Sequence, residues 1–400
     1  MSLPTATPFS AAEVAELRAA TPGCAHVRHF NHAGASLMPQ VVVDATIGHI
    51  QREAEIGGYE AADEVEARIE GVYDSLAGLL GAQRQEIAIV ENATRAWDMA
   101  FYAIPLQAGD RIITSKSEYA SNVISFLQVA ERGVRVDVAP NDASGQLDVA
   151  ALANMLDARV KVVAVSHMPT NGGLLQPAAE IGRLARAAGA LYVLDACQTA
   201  GQVPLDVESI GCDVLSGTSR KYLRGPRGAG FLYVREEVIE RLVPPMLDLH
   251  AARWTGPGSY EIRADARRFE NWESNLAGTR GMGVAVDYAC DLGLERIWAT
   301  VHARGEELRA ALAAIPGVTV RDLGAVRGGI VTWDLAGVDS GVVQQALAAQ
   351  RINTVTSSRF STPYDMADRG LSLLVRSSAH YLTTSEEIAA LVGVVAELAG

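Results

Sequence analysis

Residues 160–201 read VKVVAVSHMPTNGGLLQPAAEIGRLARAAGALYVLDACQTAG. The segment begins and ends with apolar runs, 160–167 and 190–196, which resemble strands covered by helices on both faces. Between them, residues 177–189 carry apolar side chains at three- and four-residue spacing and end at a glycine, which predicts a helix. A strand, a helix and a strand in this order predict parallel strands in an α/β sheet.

The same alternation continues on both sides of this segment, from about residue 86 to residue 235. Seven strands are predicted in all, and the other five lie at 86–90, 110–115, 134–139, 213–217 and 230–234. We therefore predict an α/β protein whose large domain has a mainly parallel seven-stranded sheet.

After about residue 285 the pattern changes to a long helical region followed by three more predicted strands, at 328–333, 352–357 and 371–378. Thr383 and Glu386 have the spacing of a capping box at the start of a terminal helix. This part of the chain predicts a smaller α+β domain.

The predicted domain division follows from this change of pattern. The large domain is expected at 28–285, and the smaller one is expected to combine 1–27 with 286–400. The N-terminal helix near residues 10–20 would then dock on the smaller domain.

Composition limits the possible partners. The 400 residues include 34 basic and 47 acidic side chains, a formal net charge of −13, with no dense basic run. Nucleic acid and anionic membranes are therefore poor candidates, and a small molecule is favoured. Four cysteines without a CxxC pair predict neither a disulfide framework nor a metal site and fit a reducing cytoplasm. Neither a signal peptide nor a membrane-spanning apolar stretch is predicted.

Residues that follow the predicted strands are candidates for ligand binding, because ligands of open α/β sheets bind beyond the carboxyl ends of the strands. Asp195 follows four apolar residues, where a carboxylate needs a cation or donors nearby, although it could also cap a helix. Gln198 lies three residues further on. Residues 91–95 place backbone N–H groups and the Thr94 hydroxyl at a helix start, which suits phosphate, although capping by Asn92 explains them equally well.

Three further candidates complete a recognisable set. Tyr119 follows the strand at 110–115 and can either stack on a planar ligand or pack in the core. Asn171 lies in the turn-rich loop 167–173. Lys221 lies among small residues in SGTSRKYLRGPRGAGFLYV (216–234), although a lone lysine is usually a surface charge. A lysine, a buried acid, an anion site, an aromatic plate and an amide together meet the requirements of pyridoxal phosphate.

Several stretches, in this order and spacing, resemble the class V aminotransferase and cysteine desulfurase family of fold-type I pyridoxal phosphate enzymes over nearly the whole chain. The stretches are NHAGASLMP (31–39), ENATRAW (91–97), SEYASN (117–122), SHMPTNGG (166–173), LDACQTAG (194–201), SGTSRKYLRGPRGAGFLYV (216–234), FENWESN (269–275) and VRSSAHYLTT (375–384).

The resemblance implies roles for the residues that match the motifs of the family. Lys221 would bond the cofactor aldehyde, Asp195 would pair with the pyridine nitrogen, and Gln198 would contact the ring hydroxyl with Asn171 close by. Tyr119 stands where relatives commonly stack a histidine on the ring. The residues that would hold the phosphate are Ala93, Thr94, Thr218 and Arg220, the last standing where the family often has a histidine.

For the substrate, the resemblance implies that Arg376 clamps the carboxylate of an amino acid, a bidentate task that suits guanidinium; a surface ion pair is the alternative. The loop formed by Asn31, His32 and Ala33 would lie near the substrate, and so would Tyr59. His32 could equally be a structural histidine. The family shares its active site across a homodimer, to which Ser274 or Asn275 would contribute a phosphate contact.

Two departures narrow the expected function. Desulfurases place a nucleophilic cysteine before the last strands, and residues 353–366 contain none, so persulfide transfer is not expected. The SGTSRK stretch and EAEIGGYEAADE (53–64) resemble C–S lyases that cleave cysteine conjugates, as in ergothioneine assembly, and relatives that process S-cysteinyl intermediates in lincosamide-like pathways of secondary metabolism.

The expected activity is β-elimination on an S-substituted cysteine, which releases a thiol with pyruvate and ammonia. The alternatives are an aminotransferase, an epimerase or a decarboxylating deaminase that acts on an amino acid. A non-catalytic sensor of the cofactor is not expected, because about ten residues before the first helix leave no room for a DNA-binding segment.

Overall fold

The computed structural model describes residues 3–400. The α-helices are α1 Ala11–Ala19, α2 Gln40–Ile56, α3 Gly58–Leu80, α4 Ala93–Phe101, α5 Ala120–Ala130, α6 Val149–Met155, α7 Ala178–Ala187, α8 Val207–Ile210, α9 Glu236–Ile239, α10 Leu276–Leu292, α11 Leu294–Ala313, α12 Ser340–Ala349, α13 Pro363–Asp368 and α14 Ser385–Ala399. The strands are β1 Arg28–His29, β2 Ile87–Val90, β3 Arg111–Thr114, β4 Arg135–Val138, β5 Val160–Ser166, β6 Leu191–Asp195, β7 Val214–Thr218, β8 Gly230–Val234, β9 Ala252–Gly256, β10 Ser259–Ile262, β11 Val318–Val320, β12 Ile330–Leu335, β13 Ile352–Asn353, β14 Val355–Ser358 and β15 Leu373–Ser378. Short 3-10 turns lie at Pro22–Ala25, Arg84–Glu86 and Ala266–Phe269.

The large sheet has seven strands in the order β2-β8-β7-β6-β5-β3-β4. Strands β3 to β7 are parallel neighbours, and β8 runs antiparallel between β2 and β7. The mainly parallel seven-stranded sheet predicted from the sequence is therefore confirmed, and each predicted strand corresponds to one strand within two residues at either end.

Alternate residues of these strands pack into different cores, because successive side chains of a strand point to opposite faces of the sheet. Val163 and Leu194 lie in one core, which includes side chains of α3, α7 and α10. Val162 and Val193 lie in the other core with α4 and α5. Both faces are thus covered, and only the ends of the strands are open to a ligand.

The smaller sheet is antiparallel, in the order β11-β12-β15-β14. Its core is separate from the two cores of the large sheet and includes Phe30, Trp333 and Leu391. The N-terminal helix docks on this part of the chain as predicted, since Arg18 forms an ion pair with Glu387.

The division at residues 27/28 and 285/286 stays a prediction, although two hydrogen-bonding patterns bear on it. Residues 28–29 pair in parallel with 352–353 of the smaller domain. The helical region predicted after residue 285 already begins at Leu276 with α10.

Two local predictions need correction. The capping box of the terminal helix is formed by Thr384 and Glu387, not by Thr383 and Glu386. Thr383 is instead buried, and its hydroxyl accepts a hydrogen bond from the backbone N–H of His380 at 2.9 Å. The hairpin of β9 and β10 was not predicted, because its residues are largely exposed and give no apolar alternation.

No helix within residues 3–400 is long and apolar enough to cross a membrane.

The corrected cap gives a stability prediction. Thr384→Ala removes the acceptor for the backbone N–H of Glu387, which should cost about 1 kcal/mol of helix stability. Amide hydrogen exchange of the first turns of α14 should accelerate about fivefold when measured by mass spectrometry. The matched control is Thr319→Ala, which changes a threonine on the edge strand β11. Equal exchange of α14 in both variants would contradict the assignment.

Candidate active site

A cavity of about 250 Å³ lies at the carboxyl ends of β2, β3, β5, β6 and β7. It is lined by Asn92, Ala93, Thr94, Tyr119, Asn122, Ser166, Met168, Thr170, Asp195, Cys197, Gln198, Thr218, Arg220 and Lys221. Eight predicted site residues therefore meet in one cavity, although they are spread over about 130 positions of the chain. The parallel strand order brings them together, because it places the strand ends at one edge of the sheet.

Asp195 is the last residue of β6 and is only 7% exposed. Its Oδ1 accepts a hydrogen bond from the backbone N–H of Cys197 at 2.9 Å. The predicted alternative, a helix cap, is wrong, because a turn follows Asp195 and the next helix, α8, begins only at Val207. Oδ2 of Asp195 accepts from Nδ2 of Asn122 at 3.1 Å. Among residues 3–400 it forms no ion pair with a basic side chain, which leaves the carboxylate available for a cation in the cavity.

Lys221 follows β7 and borders the same cavity. Enclosure of its amine lowers the pKa of Lys221, while the nearby Cys197 and Asp195 act in the opposite direction. The turn after Asp195 can approach this lysine closely because Gly201 has no side chain. A Cβ there would lie 2.5 Å from the backbone nitrogen of Leu223, and φ of Gly201 is +87°.

The start of α4 forms the opposite wall of the cavity. Asn92 caps the helix, since its side-chain oxygen accepts from the backbone N–H of Arg95 at 3.0 Å. The first-turn N–H groups at Ala93 and Thr94 have no partner within the helix, and the positive end of the helix dipole points to the cavity. Capping and anion binding are thus compatible at this helix start, and Thr218 adds a hydroxyl from the end of β7.

Gln198 provides the test of fit for pyridoxal phosphate. Its Nε2 donates to the carbonyl oxygen of Ala33 at 3.2 Å, whereas its Oε1 is buried without a hydrogen-bond partner. A buried polar atom without a partner is costly. The ring hydroxyl of the cofactor would supply the missing donor, so these residues fit the group.

Tyr119 is 38% exposed and borders the cavity, so the predicted alternative of core packing is wrong. Arg220 is half-buried beside it, and its guanidinium donates to the carbonyl oxygen of Gly34. Burial lowers the pKa of Arg220, with a further effect from the charge of Arg227.

Arg376 lies on β15, the central strand of the smaller sheet next to β12, and its side chain is buried. Its guanidinium donates to the carbonyl and hydroxyl oxygens of Thr170 at 3.1 and 2.7 Å and to Oδ1 of Asn31 at 3.3 Å. Its Nε has no partner. Burial lowers the pKa of Arg376 to about 10. The predicted alternative, a surface ion pair, is wrong, because the side chain is buried and pairs with no acidic group of residues 3–400.

Eight predicted site residues do not line the cavity, and their roles stay predictions. One of them is Arg376, and two more contact site residues, since Asn31 accepts from Arg376 and Ala33 accepts from Gln198. The remaining five lie elsewhere. Asn171 is buried and donates to Asp365 at 2.9 Å. His32 packs between His29 and His380 with ring centroids 4.6 Å apart, as a structural histidine does. The other three lie around different depressions of the surface: Tyr59, Ser274 and Asn275.

Six residues of the cavity were not predicted as site residues: Asn92, Asn122, Ser166, Met168, Thr170 and Cys197. All six lie within stretches that resemble the family, namely 91–97, 117–122, 166–173 and 194–201. Their position in these stretches was a signal, but it does not show which side chains turn toward the cavity.

Fold and cavity together define an α/β enzyme with a lysine and a buried aspartate at the carboxyl edge of a mainly parallel sheet. The profile of the aminotransferase class-V family matches residues 28–391. The chain belongs to this family, and membership makes it a pyridoxal phosphate-dependent enzyme.

Curated relatives and solved structures agree with this assignment. A probable cysteine desulfurase of Methanothermobacter thermautotrophicus is 30% identical over 86% of this chain and 87% of its own length. The structure of a cysteine desulfurase of Thermococcus onnurineus has a TM-score of 0.89 at 24% identity, covering 96% of this chain and 98% of that one. A cystine C–S lyase in complex with cysteine persulfide has a TM-score of 0.85 at 25% identity, covering 94% and 99%.

The environment of Lys221 predicts an unusual titration. The chain contains three lysines, Lys116, Lys161 and Lys221, so ¹³C-dimethylation should give three lysine NMR signals beside the signal of the α-amino group. In the cofactor-free chain, the signal of Lys221 should titrate below the ordinary lysine pKa of about 10.4. Asp195→Asn should lower this midpoint further, because the carboxylate favours the charged amine.

Variants in which Lys116 or Lys161 is replaced by arginine assign the signals. A midpoint for Lys221 that does not move, or that rises, in Asp195→Asn would contradict the proximity of the two groups.

Proposed function

We propose that this chain is a pyridoxal phosphate-dependent C–S lyase that performs β-elimination on an S-substituted cysteine, releasing a thiol with pyruvate and ammonia. The observation that carries the proposal is the meeting of Lys221, Asp195 and the unpartnered Gln198 oxygen in one cavity. The substrate class rests on the buried guanidinium of Arg376 and on where the cysteines lie.

The proposed cofactor seat uses three sides of the cavity. Lys221 would bond the aldehyde, Asp195 would face the ring nitrogen and Gln198 would face the ring hydroxyl, with Tyr119 against the ring. The phosphate is assigned to the remaining wall, formed by Ala93, Thr94, Thr218 and Arg220. When bound, pyridoxal phosphate supplies an electron-withdrawing ring that acidifies the Cα–H bond of an amino acid.

Proton transfer is assigned to Lys221. Because its enclosure lowers the pKa, the amine is neutral at lower pH than an ordinary lysine, as a general base requires. Once the amino group of the substrate has taken its place on the aldehyde, Nζ would accept the proton from Cα. The bond from Cβ to sulfur would break with its electron pair going to sulfur, and the Lys221 ammonium would return the proton, so that the sulfur leaves as the thiol. Water would hydrolyse the remaining three-carbon fragment to pyruvate and ammonia.

Arg376 is proposed to bind the carboxylate of the substrate. Its guanidinium has only neutral partners in Thr170 and Asn31. A buried guanidinium without an anion is unfavourable, and a carboxylate satisfies it with two parallel hydrogen bonds. The contact with Thr170 places this group beside the cavity that Thr170 lines.

The cysteines favour a lyase over persulfide relay. Residues 353–366, where desulfurases carry their nucleophile, contain β14 and α13 but no cysteine. Cys197 lines the cavity, but burial, and then the charge of Asp195, raise its pKa well above the ordinary value, which disfavours the nucleophilic thiolate. The similar fold of a cystine C–S lyase supports the same reading.

The SGTSRK stretch and residues 53–64 support a cysteine conjugate as the substrate. The proposed conjugate is of the kind processed in ergothioneine-like or lincosamide-like pathways of secondary metabolism. The proposed location is a reducing cytoplasm, in keeping with four unpaired cysteines.

A homodimer with a shared active site is part of the proposal. Tyr59 and Trp272 are 77% and 54% exposed and, with Ser274, surround a surface depression of about 480 Å³. Exposed aromatic clusters of this kind are typical of interfaces. Across a twofold axis, the segment containing Ser274 and Asn275 would reach the phosphate of the other subunit.

The reaction is tested with purified enzyme and a panel of S-substituted cysteines, assayed for thiol, pyruvate and ammonia. Equal amounts of the three products are expected. Lys221→Ala should reduce turnover by at least about 10³-fold, because it removes the base and the covalent attachment. Lys161→Ala, at an exposed lysine of β5, should leave turnover unchanged. Transfer of the amino group to a keto acid without release of thiol would instead indicate an aminotransferase.

Arg376→Lys should raise KM for the amino acid about 10- to 100-fold and change kcat less, because a lysine cannot form the bidentate contact. Steady-state kinetics on the best substrate measures both constants. Arg359→Lys, at an exposed arginine beyond β14, serves as the control. An unchanged KM in Arg376→Lys would remove the carboxylate role.

A further inference from the structure

We propose that Glu118 is a positioning residue that acts through Asn122 on Asp195, so that the ring nitrogen of the bound cofactor keeps its proton. The inference rests on the cofactor seat described above. It concerns a second carboxylate behind the cavity, one that does not itself line it.

Glu118 is completely buried between β3 and β5. Five donors point to its two oxygens. Oε1 accepts from the backbone N–H of Tyr119 at 2.9 Å, from Nδ2 of Asn122 at 2.8 Å and from the hydroxyl of Ser166 at 2.5 Å. Oε2 accepts from the backbone N–H of Ser166 at 2.9 Å and from the hydroxyl of Thr114 at 3.2 Å. Such a set of donors suits an ionised carboxylate.

Asn122 connects the two carboxylates. Its Nδ2 donates one hydrogen to Glu118 and the other to Oδ2 of Asp195 at 3.1 Å. Because both neighbours accept, the orientation of the amide is determined, and the nitrogen must face them. The contact fixes the rotation of the Asp195 side chain, together with the backbone N–H of Cys197 on its other oxygen.

The charge of Glu118 has no ion-pair partner among residues 3–400. The titratable groups that face it are Asp195 and Tyr192 on β6 and Tyr364 on α13, and none of them is basic. Burial first, and then the charge of Asp195, raise the pKa of Glu118 to about 7, against the effect of its donors. A cation beyond Asp195 would relieve this cost.

A protonated pyridine ring is such a cation. Ionised Glu118 and a protonated ring nitrogen favour each other, since coupling between two sites is reciprocal. Glu118 therefore adds a second negative charge behind the ring and keeps the carboxylate of Asp195 oriented toward the ring nitrogen. A protonated ring is the form that withdraws electrons most strongly.

The test measures the ring proton directly. Wild type and variants are loaded with ¹⁵N-labelled pyridoxal phosphate, and the pyridine ¹⁵N chemical shift is followed between pH 6 and 10. Wild type should keep the ring protonated over most of this range. Glu118→Gln should lower the midpoint of ring deprotonation by about one to two pH units, and Asn122→Ala should lower it as well. In Asp195→Asn the ring nitrogen should be deprotonated, so this variant gives the ¹⁵N chemical shift of the deprotonated ring.

Glu86→Gln is the matched control, because Glu86 is also buried and accepts from backbone N–H groups at 2.9 Å, at Gln83 and Glu236, away from the cavity. The midpoint of ring deprotonation in Glu86→Gln should equal that of wild type.

If Glu118→Gln does not fold, Asn122→Ala provides the test, since it breaks the hydrogen-bonded connection to Asp195 and leaves the carboxylate of Glu118 in place. An unshifted titration in a folded Glu118→Gln or Asn122→Ala would overturn the inference and leave the proposed reaction intact. A wild type that takes up no cofactor would overturn both.

Discussion

A carboxylate at the end of a buried strand is the constraint on which the rest of the site depends. Asp195 is placed by β6 where water cannot solvate it well. Its hydrogen bonds come from two neutral donors, and it forms no ion pair among residues 3–400, although Lys221 borders the same cavity. A buried carboxylate in this situation is costly unless a charged partner arrives. The lysine, the unpartnered amide oxygen of Gln198 and the helix start at Ala93 surround the place where such a partner would lie. The surroundings of one aspartate thus explain why the cavity suits a protonated heterocycle.

The sequence was sufficient to predict the large sheet and the edge at which the site lies. Strands such as β5 and β6 are apolar on both faces, a pattern that only a doubly covered sheet requires, and the polar residues come directly after them. From this, Asp195, Gln198 and Lys221 could be placed in one cavity without knowledge of their contacts. The strand order was not needed, because any parallel order brings the carboxyl ends to the same side.

Other features could not be predicted, because they depend on contacts between distant segments. Glu118 and Asn122 stand on either side of Tyr119 in the stretch 117–122, where the resemblance pointed only to Tyr119. The importance of the other two follows from the approach of Ser166 and Asp195. The hairpin of β9 and β10 is stabilised by pairing rather than by an apolar face. The terminal cap was wrong by one residue, because Thr383 and Thr384 are equivalent in sequence and only burial distinguishes them.

Arg376 belongs to the smaller sheet but donates to Thr170 and Asn31. A carboxylate bound there, as proposed, would exchange hydrogen bonds rather than fill an empty site. The net gain on binding is the difference between a charged contact and the neutral ones it replaces. On the proposed function, recognition would therefore be moderate in strength but strict in geometry, and the same neutral contacts would re-form when the ligand departs. Such a partly satisfied anchor would limit retention of a carboxylate product, since release restores the hydrogen bonds of both terminal nitrogens and leaves only Nε without a partner.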